Sequence, residues 1–401
     1  MEKLVLKKGE ERRIKAGHLW IFSNEIDSAQ SPLKQFEPGQ FVNVVDFRGQ
    51  PLGTAYVNPA TLITARLVSR QKNTPLDCVL LRERLCSALA LRETLFNQPC
   101  YRLVHAEGDF LPGLVVDRYH NDFAVQITTA GMEGVKNAFC EVMEDLFPNL
   151  NLVFRNDTSS RVLEKLDSET TIFSSSTASS LAPLFQLQEN DLFFQVPSLE
   201  GQKTGWFYDQ RQNRRFAAEL AARLNRPKVL DAFCYAGGFG IACAKAGASE
   251  VAFIDSSATA LGLVGANLKL NNLCPDIAAY VQQDGLTAME ELKQSGRKFD
   301  LVCLDPPAFI KRKKDEEAGL TAYYKANELA LDLLESGGFL ITSSCSQHLE
   351  RDALRRILSG ISGRKHLSIQ VIGEGRQGPD HPVHPAMPET NYLKTFFVRK
   401  G

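Results

Sequence analysis

Four aspartates and one cysteine are the residues of this 401-residue chain whose types and spacing point to chemistry. Asp231 closes the apolar run Val229-Leu-Asp and opens the turn Ala232-Phe-Cys-Tyr-Ala-Gly-Gly-Phe-Gly240. Only glycine lets a backbone turn that tightly and approach a ligand that closely. Asp255 closes Val251-Ala-Phe-Ile-Asp, at a separation from Asp231 that fits one βαβ unit. Asp284 follows a third apolar run in Gln282-Gln-Asp-Gly285, and Asp305 a fourth in Leu304-Asp-Pro-Pro307. Cys345 follows a fifth, in Thr342-Ser-Ser-Cys-Ser346. Each is expected at the carboxyl end of a strand, where ligands of open α/β sheets bind.

The glycine turn is not G-x-G-x-x-G. Tyr235 and Ala236 stand where a dinucleotide enzyme needs glycine to bring a pyrophosphate to a helix N-terminus. S-adenosylmethionine has no phosphate but needs the same adenosine pocket, and it is the expected cofactor. Asp231 would receive the ammonium of its methionine end, Asp255 the ribose hydroxyls and Asp284 the adenine amino group. Phe233, Tyr235, Gly237, Gly238, Ser256, Gly285, Gln210 and Arg211 complete the expected cofactor set. Any single acid could instead be a helix cap or a turn residue. Three in register are much less readily chance.

Asp305 is expected at a rim stiffened by two prolines, which stop the strand. A carboxylate there can hydrogen-bond the exocyclic amine or ring nitrogen of a base. Cys345 would stand opposite as a nucleophile. Cytosine C5 attacks poorly by itself; a thiolate added at C6 makes C5 enamine-like and able to attack a methyl sulfonium. Most lone cysteines are inert core residues. That reading is kept for the other eight, Cys234 and Cys303 included.

Composition frames these residues. The length suits two or three domains, and 44% apolar content allows ordinary cores. A formal charge of −1 means that a polyanion must meet a local basic face. Nine cysteines without C-x-x-C spacing suggest neither a zinc site nor a disulfide framework, and no metal is expected. No apolar run is long enough to span a membrane and the start lacks a signal core, so the expected location is the cytoplasm.

Three segments should position the site. Residues 1–70 read as short strands, including Phe41–Asp46 and Leu62–Val68, behind a basic opening of Lys3, Lys7, Lys8, Arg12, Arg13 and Lys15. His18, Trp20 and Phe22 follow it. Basic residues beside aromatics can bind RNA, or they can be a solvated edge over core aromatics. Residues 71–190 carry helical patterns over Leu76–Leu95 and Gly134–Leu146, with strands at Leu114–Tyr119 and Phe123–Thr128. Glu107, Asp109, Asp117 and Arg118 read there as turn and surface residues. The Ser/Thr/Ala-rich run 174–180 reads as loop.

Residues 191–401 alternate strand and helix, which implies a parallel sheet with flanking helices. Its strands are expected at Lys228–Asp231, Val251–Asp255, Ala279–Gln282, Leu301–Asp305, Phe339–Thr342, Leu367–Ile372 and Thr395–Arg399. Ahead of it, Trp206, Phe207 and Tyr208 could wall the cofactor pocket. The basic residues Lys203, Arg211, Arg214, Arg215, Arg223 and Arg226 could meet phosphate, as could the lid-like run Lys311-Arg-Lys-Lys314.

Together these motifs resemble the S-adenosylmethionine-dependent 23S ribosomal RNA cytosine-C5 methyltransferases of the RlmI type. Further signposts are Gly17-His-Leu-Trp-Ile-Phe22, Glu107-Gly-Asp-Phe-Leu-Pro-Gly-Leu-Val-Val-Asp-Arg-Tyr119, Gly201-Gln-Lys-Thr-Gly-Trp-Phe-Tyr-Asp-Gln-Arg211 and Asp380-His-Pro-Val-His-Pro385. The resemblance covers nearly the whole chain. It implies an α/β protein with a β-barrel-like PUA domain over 1–70, a small central α/β domain over 71–190 and a Rossmann-like class I methyltransferase domain with a seven-stranded sheet over 191–401. It also implies ribosomal RNA as partner, with a homodimer as a further option and no membrane.

One departure stands out. Better-studied RNA cytosine-C5 methyltransferases carry a second cysteine just after the proline of the fourth-strand motif, which helps release product. Here Ala308 follows Pro307. Two rival functions stay open: methylation of an exocyclic amine or of guanine, which needs no cysteine, and a non-catalytic RNA-binding assembly factor.

Overall fold

The structure is a computed structural model and describes residues 1–175 and 181–401. Most of the serine-rich run, 176–180, lies outside the described residues. The chain forms two compact units. The first comprises Met1–Phe185, Pro197–Tyr208 and Pro379–Asn391, and the second Gln186–Val196, Asp209–Gly378 and Tyr392–Gly401.

Two five-stranded sheets build the first unit. One runs Glu2–Val5, Phe41–Val45, Pro51–Val57, Ile63–Ser69, Trp20–Phe22 in spatial order, antiparallel except for its first pair. A bridge between Leu6 and Ile26 links the segments that follow its two edge strands, so the sheet curls back on itself as a barrel does. Alternation sends Leu4, Ile21, Val42, Val44, Ala55 and Leu67 into its core. Trp20 donates its indole N–H to Glu107 at 2.7 Å, and the Arg13 guanidinium lies 4.8 Å from the Phe22 ring centroid and pairs with Glu25. Lys3, Lys7, Lys8, Arg12 and Lys15 stay exposed.

The other sheet runs Glu169–Ser174, Asn151–Asn156, Asp122–Ile127, Leu114–Tyr119, Cys100–His105. The helices Cys78–Leu95 and Lys136–Leu146 supply its apolar cover. The first starts two residues later than the apolar pattern suggests, because Asp77 caps it by accepting from Val79 N and Leu80 N at 3.1 and 3.0 Å.

The acids around Glu107–Tyr119 correct the expectation of a charged surface. Glu107 and Asp109 are 8% exposed and Asp117 is fully buried. Arg92, also fully buried, grips Asp109 through two bonds of 2.5 and 2.7 Å and donates to the Asp380 carbonyl at 2.8 Å. Arg102 makes the same fork to Asp117, at 2.7 and 2.9 Å. Burial holds the Asp117 carboxyl above its ordinary pKa despite that partner. The segment Pro379–Asn391 thus sits within the first unit although it falls late in the chain.

The second unit carries a seven-stranded sheet. Its strands are β1 Lys228–Ala232, β2 Glu250–Asp255, β3 Ala278–Gln282, β4 Phe299–Leu304, β5 Leu334–Ser344, β6 Ile369–Gly375 and β7 Lys394–Lys400. Their order is β3-β2-β1-β4-β5-β7-β6. All pairs are parallel except those of β7, which runs antiparallel to β5 and β6. The order reverses direction between β1 and β4, the crevice where such sheets bind ligands.

Six helices flank it: α1 Arg211–Arg223, α2 Gly238–Lys245, α3 Ala258–Leu270, α4 Gly285–Gln294, α5 Glu316–Leu333 and α6 Arg351–Lys365. Met289 of α4, Leu329 of α5 and Leu354 of α6 share one core with Leu230, Val302, Leu340 and Phe396 of the strands. On the remaining helices, α1 packs on α2 and α2 on α3. Among the described residues no helix is long and apolar enough to cross a membrane.

Removing one partner of a buried ion pair is costly because the other charge stays buried and uncompensated. Replacing Arg92 by methionine leaves Asp109 buried beside a group that cannot compensate it. The expected loss is about 3–5 kcal/mol, read as a lowered urea midpoint with an unchanged slope. A variant as stable as the parent would contradict this account of the first unit.

Candidate active site

Strand β1 delivers Asp231 to the crevice one residue before its end. The side chain is 1% exposed, and its carboxylate accepts the Gly240 N–H at 2.7 Å. Desolvation pushes this carboxyl well above the usual range, and the charges of Asp305 and Asp255 push the same way. The Gly240 N–H and the Arg214 guanidinium oppose the shift without cancelling it.

The turn after β1 is strained. Phe233 and Tyr235 adopt φ of 62° and 48°, a left-handed backbone that non-glycine residues rarely take. Asp255 supports it, since Oδ2 accepts Tyr235 N and Oδ1 accepts Ser257 N, both at 2.9 Å. Each oxygen keeps a further lone-pair direction. Gly237, at φ 81°, is the N-cap of α2, and Gly238 begins that helix. A Cβ on Gly285 would lie 2.4 Å from the Phe233 ring, so glycine there is what admits the ring. From α3, Asn267 donates to the Ala236 carbonyl at 3.1 Å and clamps the turn from behind.

The other residues expected at the cofactor divide. Asp284 is the N-cap of α4, and its Oδ1 accepts from Leu286 N, Thr287 N and Thr287 Oγ1 at 3.1 to 3.2 Å. Ser256 is exposed, and its neighbour Ser257 caps α3. Gln210 reaches Asp305 instead, donating Nε2 to Oδ1 at 2.8 Å, while its Oε1 accepts from Asn213 Nδ2 at 2.6 Å. Arg211 lies 3.7 Å from Glu189, which Arg214 holds through two bonds of 2.6 and 2.9 Å. Both arginines are buried on that acid and do not form an open phosphate face. Trp206 and Tyr208 are buried within the first unit, where Tyr208 donates to the Arg118 carbonyl at 2.9 Å.

Asp305 follows β4 directly, and its N–H lies 3.5 Å from the Ala232 carbonyl. Cys345 follows β5 and is half-buried. The strands β4 and β5 are neighbours, with Leu304 opposite Thr342. Three buried hydroxyls, unforeseen in the sequence, tie the two loops. Tyr323 of α5 contacts Ser346 Oγ at 2.7 Å and accepts from Ser344 Oγ at 2.8 Å. Ile310 N donates to Ser346 Oγ at 3.3 Å, and Phe309 N to the Tyr323 hydroxyl at 3.4 Å. Phe309 also meets Phe233 edge-on, with centroids 6.4 Å apart.

The crevice therefore gathers Asp231, Asp255 and Asp305, and the charges of the last two raise the cost of ionising Asp231. Such a cluster favours a ligand that brings positive charge. Among the described residues no three His, Cys, Asp or Glu side chains form a metal-ligating group.

The chain is similar to known proteins over nearly its whole length. Residues 4–70 match the model of a PUA-like domain, and residues 169–382 that of an S-adenosylmethionine-dependent methyltransferase. A protein of Photobacterium profundum named ribosomal RNA large subunit methyltransferase I is 33% identical over 397 residues, spanning 98% of both chains. Its namesake in Erwinia tasmaniensis is 32% identical over 400 residues, spanning 99% of both. Among solved structures, a Streptococcus mutans chain assigned to the SAM-dependent methyltransferases superposes with TM-score 0.82 at 19% identity, with full coverage of both chains. A chain assigned as a methyltransferase and solved with SAH gives 0.82 at 21%, also with full coverage.

The raised Asp231 carboxyl has a consequence for stability. The fold holds that proton more tightly than the unfolded chain does. The resulting stabilisation is complete below about pH 4 and is lost as pH rises through the folded value. Asp231→Asn removes the titrating group while its amide oxygen can still accept from Gly240. Urea midpoints taken from about pH 4 to 7 should show the parent losing stability relative to this variant. Parallel curves would contradict the assignment.

Proposed function

The chain belongs to the S-adenosylmethionine-dependent methyltransferase family, and on that premise we propose that it methylates C5 of a cytosine in large-subunit ribosomal RNA. The observation that carries the reading is the pairing of Asp305 and Cys345 on neighbouring strand ends, next to the acid-lined glycine turn. The names of the full-length relatives support ribosomal RNA as substrate. We read residues 1–70 as the RNA-holding domain, 71–190 as the central domain and 191–401 as the methyltransferase domain. Cytoplasmic ribosome assembly fits that substrate.

S-adenosylmethionine supplies an electrophilic methyl on a sulfonium and also brings an ammonium. Asp231 would pair with that ammonium, which relieves the charge that burial makes costly. Asp255 would accept from the ribose hydroxyls with its remaining lone pairs. Phe233, Tyr235, Gly237 and Gly238 would form the pocket wall, with Ser256, Asp284 and Gly285 on the adenine side. Gln210 would act on the base side by holding Asp305, with Arg211 behind it.

A target base flipped from RNA would meet Asp305 at its N3 or amino edge. The Cys345 sulfur adds to C6, and the C5–C6 electron pair makes C5 the nucleophile for the methyl. Loss of the C5 proton then reforms the double bond and expels the sulfur. The exposed Lys311, Lys313 and Lys314 beyond β4 suit contact with phosphate. A second reading keeps the same pocket. An aromatic after Asp-Pro-Pro, here Phe309 against Phe233 and Tyr323, also suits methylation of an exocyclic amine, which requires no thiol.

Cys345→Ala separates them. Methylation of ribosomal RNA should fall by more than about 10³-fold, while the dissociation constant for S-adenosylmethionine stays within about twofold. Mass spectrometry of the nucleosides, with calorimetry of the cofactor, reads both. An alanine variant that methylates normally would end the covalent reading and favour the amine.

A further inference from the structure

Lysine 394 is the candidate that neither the motifs nor the proposed chemistry uses. It begins β7, antiparallel to β5, with Lys394 in register with Ser344. Its side chain is buried, 7% exposed, and its ammonium donates to the Ser346 carbonyl at 2.6 Å. Cys345 lies between those two residues, so the nitrogen is anchored on the carbonyl of the residue that follows the cysteine. Among the described residues Lys394 has no carboxylate in ion-pairing range.

A buried ammonium satisfied by one carbonyl is a costly way to hold two strands together. The cost shows in its titration. Burial pushes Lys394 down to about 8, Arg351 adds to the fall, and a charged Cys345 works against it. Arg351 itself is engaged by Glu374 at 3.1 Å and by the Gly375 carbonyl at 3.3 Å. From the helix side, Tyr323 also feels Cys345.

We propose that Lys394 is a positioning residue for Cys345: its buried ammonium is the counter-charge that holds the sulfur as thiolate. The catalytic consequence rests on Cys345 being the nucleophile; the electrostatic one does not. The thiol proton leaves to solvent, and the thiolate forms the S–C6 bond as the C5–C6 pair moves to C5. At release the C5 proton leaves to solvent, its electron pair restores C5=C6, and the S–C6 pair returns to sulfur beside the ammonium. Lys394 keeps its protons throughout, which it does below about pH 8.

Iodoacetamide alkylation of the full chain, followed peptide by peptide, tests this, since only thiolate reacts. In the parent, Cys345 should reach half its maximal rate at a lower pH than the exposed Cys86 and Cys274, which need no variant to compare. In Lys394→Met its rate near pH 7 should fall about tenfold, one pH unit of displacement. Lys394→Arg should restore it to within about threefold, whereas Cys86 and Cys274 stay unchanged in all three proteins. Cys345 titrating no lower than those two in the parent, an unmoved profile in the methionine variant, or an equal loss in the arginine variant would each overturn the proposal. Methylation tells the two readings apart. If Cys345→Ala still methylates but the alkylation shift is found, the nucleophile assignment fails and the ion pair stands. If that variant is inactive and no shift is found, the reverse holds.

Discussion

Burial of the Asp231 carboxylate at the reversal of strand order is the constraint from which the rest of the second unit follows. A carboxylate that is 1% exposed must be satisfied or neutralised. The fold satisfies it once, with the Gly240 N–H, and places the Arg214 guanidinium where its charge helps. To bring Gly240 there the chain must turn within a few residues and start α2 immediately, which puts Phe233 and Tyr235 in left-handed backbone. The strain is of order 1–3 kcal/mol per residue, and it is offset by bonds from Asp255 and by the clamp of Asn267 on Ala236. What remains unbalanced is negative charge, and that is what a cationic cofactor would neutralise.

The same economy of contact ties the loops that follow β4 and β5. Asp305 is held by Gln210, which is held by Asn213, which bonds Thr395 Oγ1 of β7 at 3.2 Å. Thr395 in turn contacts Ser343 of β5 at 2.8 Å. Beyond β5 the hydroxyls of Ser344, Ser346 and Tyr323 bind the loop after Asp-Pro-Pro through Phe309 N and Ile310 N. The acid and the loop that carries the cysteine are therefore held by two hydrogen-bond networks that meet at the main chain of β5. In a low-dielectric setting each member of such a network polarises the next, and removing one leaves others unsatisfied.

How much of this the residues announce depends on the range of the interaction. The placement of Asp231, Asp255 and Asp305 at strand ends was legible because each ends an apolar run in an alternating α/β pattern. The glycine turn was legible through Gly237, which takes φ 81°. The identity of Gln210 as the partner of Asp305 was not, because the two are 95 residues apart and an amide on a helix start has many uses. Asp284 showed the opposite ambiguity: an acid before Gly-Leu-Thr is also a good cap, and three of its contacts are those of a cap. In the first unit, Asp109 and Asp117 looked like surface residues because lone acids usually are. Their arginines lie 17 and 15 residues away on other elements, and only packing brings them together.

A site with a single sulfur has to solve two problems with one atom. On the proposed covalent route Cys345 would have to be a good enough nucleophile to attack C6 and a good enough leaving group to depart, and Ala308 offers no second thiol to assist. A low leaving-group pKa speeds departure, while too low a value weakens attack, so the optimum lies near ambient pH. A fixed positive charge beside the sulfur would serve both ends, lowering the cost of the thiolate before attack and after departure. Lys394, pushed down to about 8 by burial, is charged at neutral pH yet weakly hydrated, and it is anchored on the carbonyl of Ser346, the residue after Cys345. An arginine would be charged at every accessible pH and would spread its charge over a planar fork. The choice of lysine at the start of β7, in a position where an apolar residue would pack at lower cost, follows from the chemistry required of its neighbour.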